Sequence, residues 1–273
     1  GQPYQVEAGL TILEAAKACG YEIPSLCAFN HGECNQGSCR VCLVEATGAR
    51  GLVASCVYPV AEGMVVTISS PKAVEARRAS VELLLSNHSL NCQQCDKNGK
   101  CELLHVAKIT GARENKYIGS KTPVTVDEIS PAIVRDTSKC ILCGRCVARC
   151  SNAHGLGVLG FENRGFATIV APAGNRSFAT SPCIMCGQCV NVCPTGALME
   201  KSEIAKIDQA KKEMVELSKS NSKPVDDANE IEKVRIAIFQ KDAIRSFLVI
   251  TDAAILLLLN IKINQLQIPS LNT

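Results

Sequence analysis

From Cys140 the sequence reads CILCGRCVARC, and from Cys183 it reads CIMCGQCVNVCP. Each run is C-x2-C-x2-C-x3-C, the second is followed by Pro194, and the second repeats the first cysteine by cysteine, an internal duplication of a metal-binding unit. Three thiolates spaced in this way can wrap three corners of a cubane of iron and sulfide while the fourth reaches across to a second cubane. The spacing therefore points to one 4Fe-4S cluster on Cys140, Cys143, Cys146 and Cys193, and another on Cys183, Cys186, Cys189 and Cys150. Tetrahedral zinc is usually built from pairs of C-x2-C rather than triplets. Disulfides suit neither an odd total of 17 cysteines nor a chain long enough to fold without them.

Two further groups lie upstream. Residues 88–101 read HSLNCQQCDKNGKC, or H-x3-C-x2-C-x5-C, three soft thiolates with an imidazole. Alone, such a set is also a respectable structural zinc site; beside two ferredoxin-type runs it reads as a third 4Fe-4S cluster on His88, Cys92, Cys95 and Cys101. His105 is a rival ligand, and the H-x3-C spacing favours His88. The first group holds Cys27, Cys34, Cys39, Cys42 and Cys56, five candidates where a 2Fe-2S rhomb needs four. Cys34-x4-Cys39-x2-Cys42 has the plant-type ferredoxin spacing, whereas Cys27-x11-Cys39-x2-Cys42-x13-Cys56 drops Cys34, and the pattern alone leaves both open. Cys19 falls on the apolar face of an expected helix and reads as a small buried hydrophobe.

The rest of the composition fits a cofactor-held fold. The 273 residues allow one to three domains. The 47% hydrophobic fraction includes the cysteines, and aromatic residues are 4% with no Trp, so ordinary core material is lean. A net charge of +3 and few stacking rings argue against nucleic acid as a partner.

These cysteines need elements to position them. Residues 4–7 (YQVE) are expected as a short strand, followed by a helix over 11–19 with a capping box at Thr11 and Glu14 and a stop at Gly20. Strands are expected after Cys42 and at 65–68, which closes a first module near residue 70. Pro71, preceded by Ser69 and Ser70, starts a helix over 71–87 that delivers His88, with Val74, Val81, Leu84 and Leu85 on one face. Strands at 158–161 and 166–170 flank ENRG as a hairpin between the duplicated runs. Gly155, Gly157 and Gly160 spell G-x-G-x-x-G, but the dinucleotide fingerprint needs a strand before it and a helix after it, and no Walker A sequence is present. Hydride chemistry thus belongs on another chain. Residues 201–219 are expected as a charged helix and 220–228 as a linker. The apolar run 247–259 is shorter than the roughly 20 residues a membrane span needs, so no transmembrane span is expected. No signal or transit segment is visible, and with no initiator Met and no strand partner ahead of Tyr4 a trimmed N-terminus is expected.

The order IPSLC, GSCRVC and ASC, then H-x3-C-x2-C-x5-C, then two C-x2-C-x2-C-x3-C runs separated by GFENRGFATIVAP, resembles the N-terminal accessory region of modular, NAD-linked FeFe-hydrogenases over about residues 1–200. It is also similar to the large iron-sulfur subunit of the complex I peripheral arm, a family that typically keeps one of the two final clusters. The resemblance implies Cys27, Cys39, Cys42 and Cys56 as the 2Fe-2S ligands, with Cys34 the extra thiol, and a histidine-ligated cluster on His88, Cys92, Cys95 and Cys101. The expected chain is α+β: a β-grasp 2Fe-2S ferredoxin domain over 1–70, a small helical 4Fe-4S domain with one histidine and three cysteine ligands over 71–115, a bacterial-type 2x4Fe-4S ferredoxin domain over 116–200, and a helical C-terminal tail over 201–273. The FeFe-hydrogenases continue into a hydrogen-activating domain with further cysteines, whereas no cysteine follows Cys193 here; residues 232–247 loosely resemble the opening of that domain.

The expected function is a multi-cluster electron relay, with one 2Fe-2S and three 4Fe-4S clusters, between an NADH- or flavin-binding redox subunit and another partner. That partner would be a 2Fe-2S thioredoxin-like subunit, a ferredoxin, or a hydrogenase or other catalytic subunit. The alternatives are the front fragment of an FeFe-hydrogenase, a complex I-type iron-sulfur subunit, and a zinc-stapled protein with no redox role. The expected compartment is the cytoplasm or the matrix of a hydrogen-producing organelle, since ligating thiols need a reducing interior.

Overall fold

The computed structural model describes residues 1–29, 33–34, 36–112 and 117–220, the last three without side chains. Residues 1–97 and 101–207 form one compact unit, and residues 98–100 and 208–220 fall in a second. The linker after residue 220, the apolar run 247–259 and the stretch 232–247 lie outside the described residues.

The chain's first helix, α1 (Ile12–Ala18), forms where the capping box requires it. The Thr11 hydroxyl accepts from the Glu14 N–H at 3.3 Å, and Glu14 Oε2 accepts from the Thr11 N–H at 2.9 Å. A three-stranded antiparallel sheet follows: β1 (Leu43–Ala46) runs between β2 (Val53–Ala54) and β3 (Val66–Thr67), with Leu43 opposite Ala54 and Glu45 opposite Thr67. Residues 4–7, expected as a strand, pair with no strand among the described residues and are exposed. Extended backbone counts as a strand only when a neighbour takes its N–H and C=O groups.

Helix α2 (Pro71–Asn87) starts with Ser70 as N-cap and Pro71 at its first position, and it ends at His88. Its buried stripe is Ala73, Arg77 and Val81, four residues apart. The expected Val74 is half exposed instead, because Arg77 turns inward to donate from Nε to the Leu43 carbonyl at 2.7 Å. Helix α3 (Glu102–Thr110) packs against α2 and stops at Gly111 in the left-handed region (φ 68°).

A second antiparallel sheet was not foreseen from the sequence. Strand β5 (Ile133–Asp136) sits between β4 (Val126–Asp127) and β8 (Leu198–Glu200), so the strand before the first cysteine run pairs with the strand after the second. Between them come α4 (Arg145–His154), the hairpin of β6 (Leu159–Glu162) and β7 (Ile169–Pro172), and the one-turn α5 (Gln188–Asn191). Gly155 caps α4, and Gly160 lies inside β6, so the glycine-rich stretch runs helix-to-strand, the reverse of a dinucleotide site. Helix α6 (Lys201–Ser220) then follows. Among the described residues no helix is long and apolar enough to cross a membrane.

Two apolar cores result. One gathers Ile12, Leu26, Val41, Val44, Val81 and Leu103 around Cys27, Cys39, Cys42 and Cys56; the other gathers Ile133, Leu159, Val170, Phe178, Val190 and Leu198 around Cys146, Cys189 and Cys193. Asp127 pins the second core. Its carboxylate accepts from Ser177 Oγ at 2.7 Å, from the Phe178 N–H at 2.8 Å and from the Ile129 N–H at 3.3 Å. Burial works to raise its pKa, but these bonds and the nearby Arg135 charge hold it below the usual carboxylate range. Asp127→Asn replaces one acceptor with a donor facing donors, so we expect a loss of about 1–3 kcal/mol. At about 2–4 °C per kcal/mol, an anaerobic thermal melt should show a midpoint several degrees lower; an unchanged midpoint would remove Asp127 from the fold's supports.

Candidate iron-sulfur centres

Four thiols of the first cysteine group are joined in a hydrogen-bonded chain that runs from Cys39 through Cys27 and Cys56 to Cys42. Cys27 accepts hydrogen bonds from Cys39 and Cys56, and Cys42 accepts from Cys56. The accepting thiols are accordingly held down, Cys42 to about 6, while Cys39 and Cys56 are raised as donors and by burial. Cys34 stands apart from this chain of thiols. It is buried, and its Sγ donates to the Cys143 carbonyl at 3.7 Å. Burial, then the charge of Cys27, pushes its pKa up. Cys19 is a half-buried C-cap of α1 rather than a core residue.

The duplicated runs build two cavities, each lined from both halves. One is lined by Cys140, Cys143 and Cys146 together with Cys193. The other is lined by Cys183, Cys186 and Cys189 together with Cys150. The backbone repeats as well. Leu142 and Met185 are both left-handed, φ 54° and 55°, and each aims its N–H at the preceding thiol, Leu142 to Cys140 Sγ at 3.4 Å and Met185 to Cys183 Sγ at 3.3 Å. Bulky residues avoid this conformation, so the strain marks a loop shaped for its sulfurs. Burial pushes Cys140 up to about 11 and Cys143 and Cys189 up to about 12.

Cys92, Cys95 and Cys101 lie within electrostatic reach of one another, and burial raises Cys92 and Cys101. His88 is 7% exposed, and burial lowers its pKa to about 4, so its ring is neutral. Its charged neighbours are Asp136, Lys139 and Lys121, and Lys139 in turn senses Cys95. The rival His105 is exposed on α3. This region abuts the second run: the Glu102 N–H donates to the Pro194 carbonyl at 2.9 Å, and a Cβ on Gly196 would lie 3.3 Å from Cys95 Sγ.

The donor sets fit iron-sulfur clusters. No disulfide joins any of the 17 cysteines. Among the described residues no three His, Cys, Asp or Glu converge on a point as one metal ion requires. Buried nitrogen atoms without a hydrogen-bond partner among the described residues include His88 Nδ1, Arg135 Nε and Arg145 Nε; Arg135 senses Cys140, and Arg145 acts on Cys143. Sequence reasoning missed these arginines, since an Arg between two cysteines gives no sign of being buried.

Residues 1–71 match the family described as a 2Fe-2S iron-sulfur cluster binding domain, residues 77–116 the NADH-ubiquinone oxidoreductase-G iron-sulfur binding region, and residues 132–194 a 4Fe-4S dicluster domain. The solved structure of an NAD+-reducing [NiFe]-hydrogenase in the H2-reduced state is similar, with a TM-score of 0.66 and 32% identity over 73% of this chain and 83% of that one. The chain belongs to the NADH-oxidoreductase-G-like iron-sulfur family. Within this family it is 44% identical, over 77% of its length, to the NADP-reducing hydrogenase subunit HndD of Solidesulfovibrio fructosivorans. It is 31% identical, over 74%, to the mitochondrial NADH dehydrogenase [ubiquinone] iron-sulfur protein 1 of Solanum tuberosum. The chain spans 37% of the first relative and 27% of the second. It thus carries a 2Fe-2S domain and 4Fe-4S-binding domains.

The separation of Cys34 from the other four makes a sharp prediction. Cys34→Ala should leave the 2Fe-2S electron paramagnetic resonance (EPR) signal of the anaerobic, dithionite-reduced protein intact, whereas Cys27→Ala should abolish it. The opposite pattern would hand the ligand role to Cys34.

Proposed function

We propose that the chain relays single electrons from an NAD(H)- or flavin-binding subunit to a second redox partner, through one 2Fe-2S cluster on Cys27, Cys39, Cys42 and Cys56 and three 4Fe-4S clusters. The three would be held by His88 with Cys92, Cys95 and Cys101; by Cys140, Cys143, Cys146 and Cys193; and by Cys183, Cys186, Cys189 and Cys150. The observation that carries this is the pair of cavities, each lined by cysteines of both runs. We read the segments as a β-grasp domain over 1–70, a histidine-ligated 4Fe-4S domain over 71–115 and a dicluster ferredoxin domain over 116–200, working within a multi-subunit hydrogenase-like or complex I-like assembly in a reducing compartment such as the cytoplasm.

When bound, the clusters supply one-electron storage at potentials anywhere from about -700 to +450 mV. The chain supplies order. The first cysteine loop lies against the Cys143 stretch through Cys34, and the segment with His88 and its three cysteines lies against Pro194 and Gly196. Both upstream sites therefore lead to the Cys140 cavity. From there α4 carries Cys146 and Cys150 one turn apart, about 6 Å along the axis, into the second cavity. Cys186 is exposed at that cavity, which puts the outlet of the relay near the surface.

Anaerobic analysis should find about 14 irons per chain with sulfide in step, and EPR of the dithionite-reduced protein should show 2Fe-2S and several 4Fe-4S signals. Zinc with little sulfide would end the proposal. Cys186→Ala should remove one 4Fe-4S signal and stop reduction of the downstream partner; partner reduction at the original rate would mean that electrons leave by another route.

A further inference from the structure

Arg145 is a buried charge that ligation does not require. It stands between Cys143 and Cys146 at the first residue of α4 and is 5% exposed. One of its terminal nitrogens lies 2.9 Å from the Glu102 carboxylate, and its guanidinium stands 5.7 Å from the centroid of the Phe29 ring. Arg149 approaches the same ring at 5.0 Å and pairs with Glu33 at 3.0 Å. Nε of Arg145 is buried without a hydrogen-bond partner among the described residues.

The Arg145–Glu102 pair is unequal. The Arg145 side chain is 6% exposed and the Glu102 side chain 48%. Water screens the carboxylate, while the guanidinium stays in a medium of low effective dielectric, so the pair leaves net positive potential inside, beside Cys143. A half-exposed carboxylate is a weak partner for a buried guanidinium, so most of the cation's field is left for its other neighbours.

We propose that Arg145 sets the reduction equilibrium of the 4Fe-4S cluster on Cys140, Cys143, Cys146 and Cys193, with Glu102 as the opposing charge; this rests on the cluster reading above. Reduction adds one electron from the donor and hence one negative charge. A fixed buried cation stabilises that added charge, so it favours the reduced form. The seam that holds Arg145 also carries Phe29 from the first cysteine loop, so the charge sits where the upstream site meets this cavity.

The test is an anaerobic dithionite titration of the full chain followed by EPR, with the relevant signal assigned by its loss in Cys146→Ala. Arg145→Gln should lower the reduction equilibrium constant of that signal at least tenfold, about 59 mV for a one-electron couple. Arg145→Lys should keep most of the original value. Glu102→Gln should shift the equilibrium the other way by a smaller factor, about threefold, because its charge is already screened. Shifts of the same sign in Arg145→Gln and Glu102→Gln, or no shift in either with iron content and line shape unchanged, would overturn the assignment. If Arg145→Gln loses the cluster, Glu102→Gln decides alone: a rise supports the role, and an unchanged or lower value refutes it. A wild-type protein with no 4Fe-4S signal at all would refute the cluster reading and this assignment with it, whereas signals that fail to shift refute this assignment alone.

Discussion

The structure turns on burying sulfur that must carry charge. A thiolate is what iron binds, yet Cys140, Cys143 and Cys189 sit where burial favours the neutral thiol and lifts it to about 11 or 12. Only a cation at the same place reverses that preference, so cluster binding and the packing of the second core are linked equilibria. In the first group Cys39 and Cys56 donate to Cys27 and Cys42, and these hydrogen bonds hold the two accepting thiols below the usual thiol range.

The rest of the fold can be read as the means of holding those sulfurs. The β5–β8 pairing, with Val134 opposite Met199, closes the dicluster segment on itself so that Cys193 returns to the first run. At the loop tips Leu142 and Met185 accept left-handed strain, and Gly144 (φ 78°) and Gly187 (φ 72°) turn the chain into the helices that carry the next cysteine. Upstream, α2 delivers His88 because Ser70 and Pro71 fix where it starts and Ala73, Arg77 and Val81 fix which side faces inward.

What was legible in the sequence was what depends on local spacing. The capping box at Thr11, the start of α2, the β6–β7 hairpin and the crosswise gathering of the duplicated cysteines all follow from intervals of a few residues. What stayed hidden depends on partners far along the chain. Strands β4 and β8 are two and three residues long and exist only because β5 lies between them. Asp127 reads as a surface charge until Ser177 and Phe178 arrive to bond it, and Arg145 reads as one until Glu102 and Phe29 close over it. Residues 4–7 show the reverse error: a strand-like composition without a neighbour is not a strand.

The crosswise exchange of Cys150 and Cys193 between the two cavities also governs how such a molecule fails. Cys186 is the cysteine most open to solvent, so an oxidant reaches the second cavity first. On the proposed ligand sets a centre dismantled there would release Cys150, and Cys150 shares one helical turn of α4 with Cys146, a wall of the inner cavity. Injury at the surface would then loosen the interior in sequence, and the vulnerability of the proposed relay would be set by the lifetime of its outermost centre.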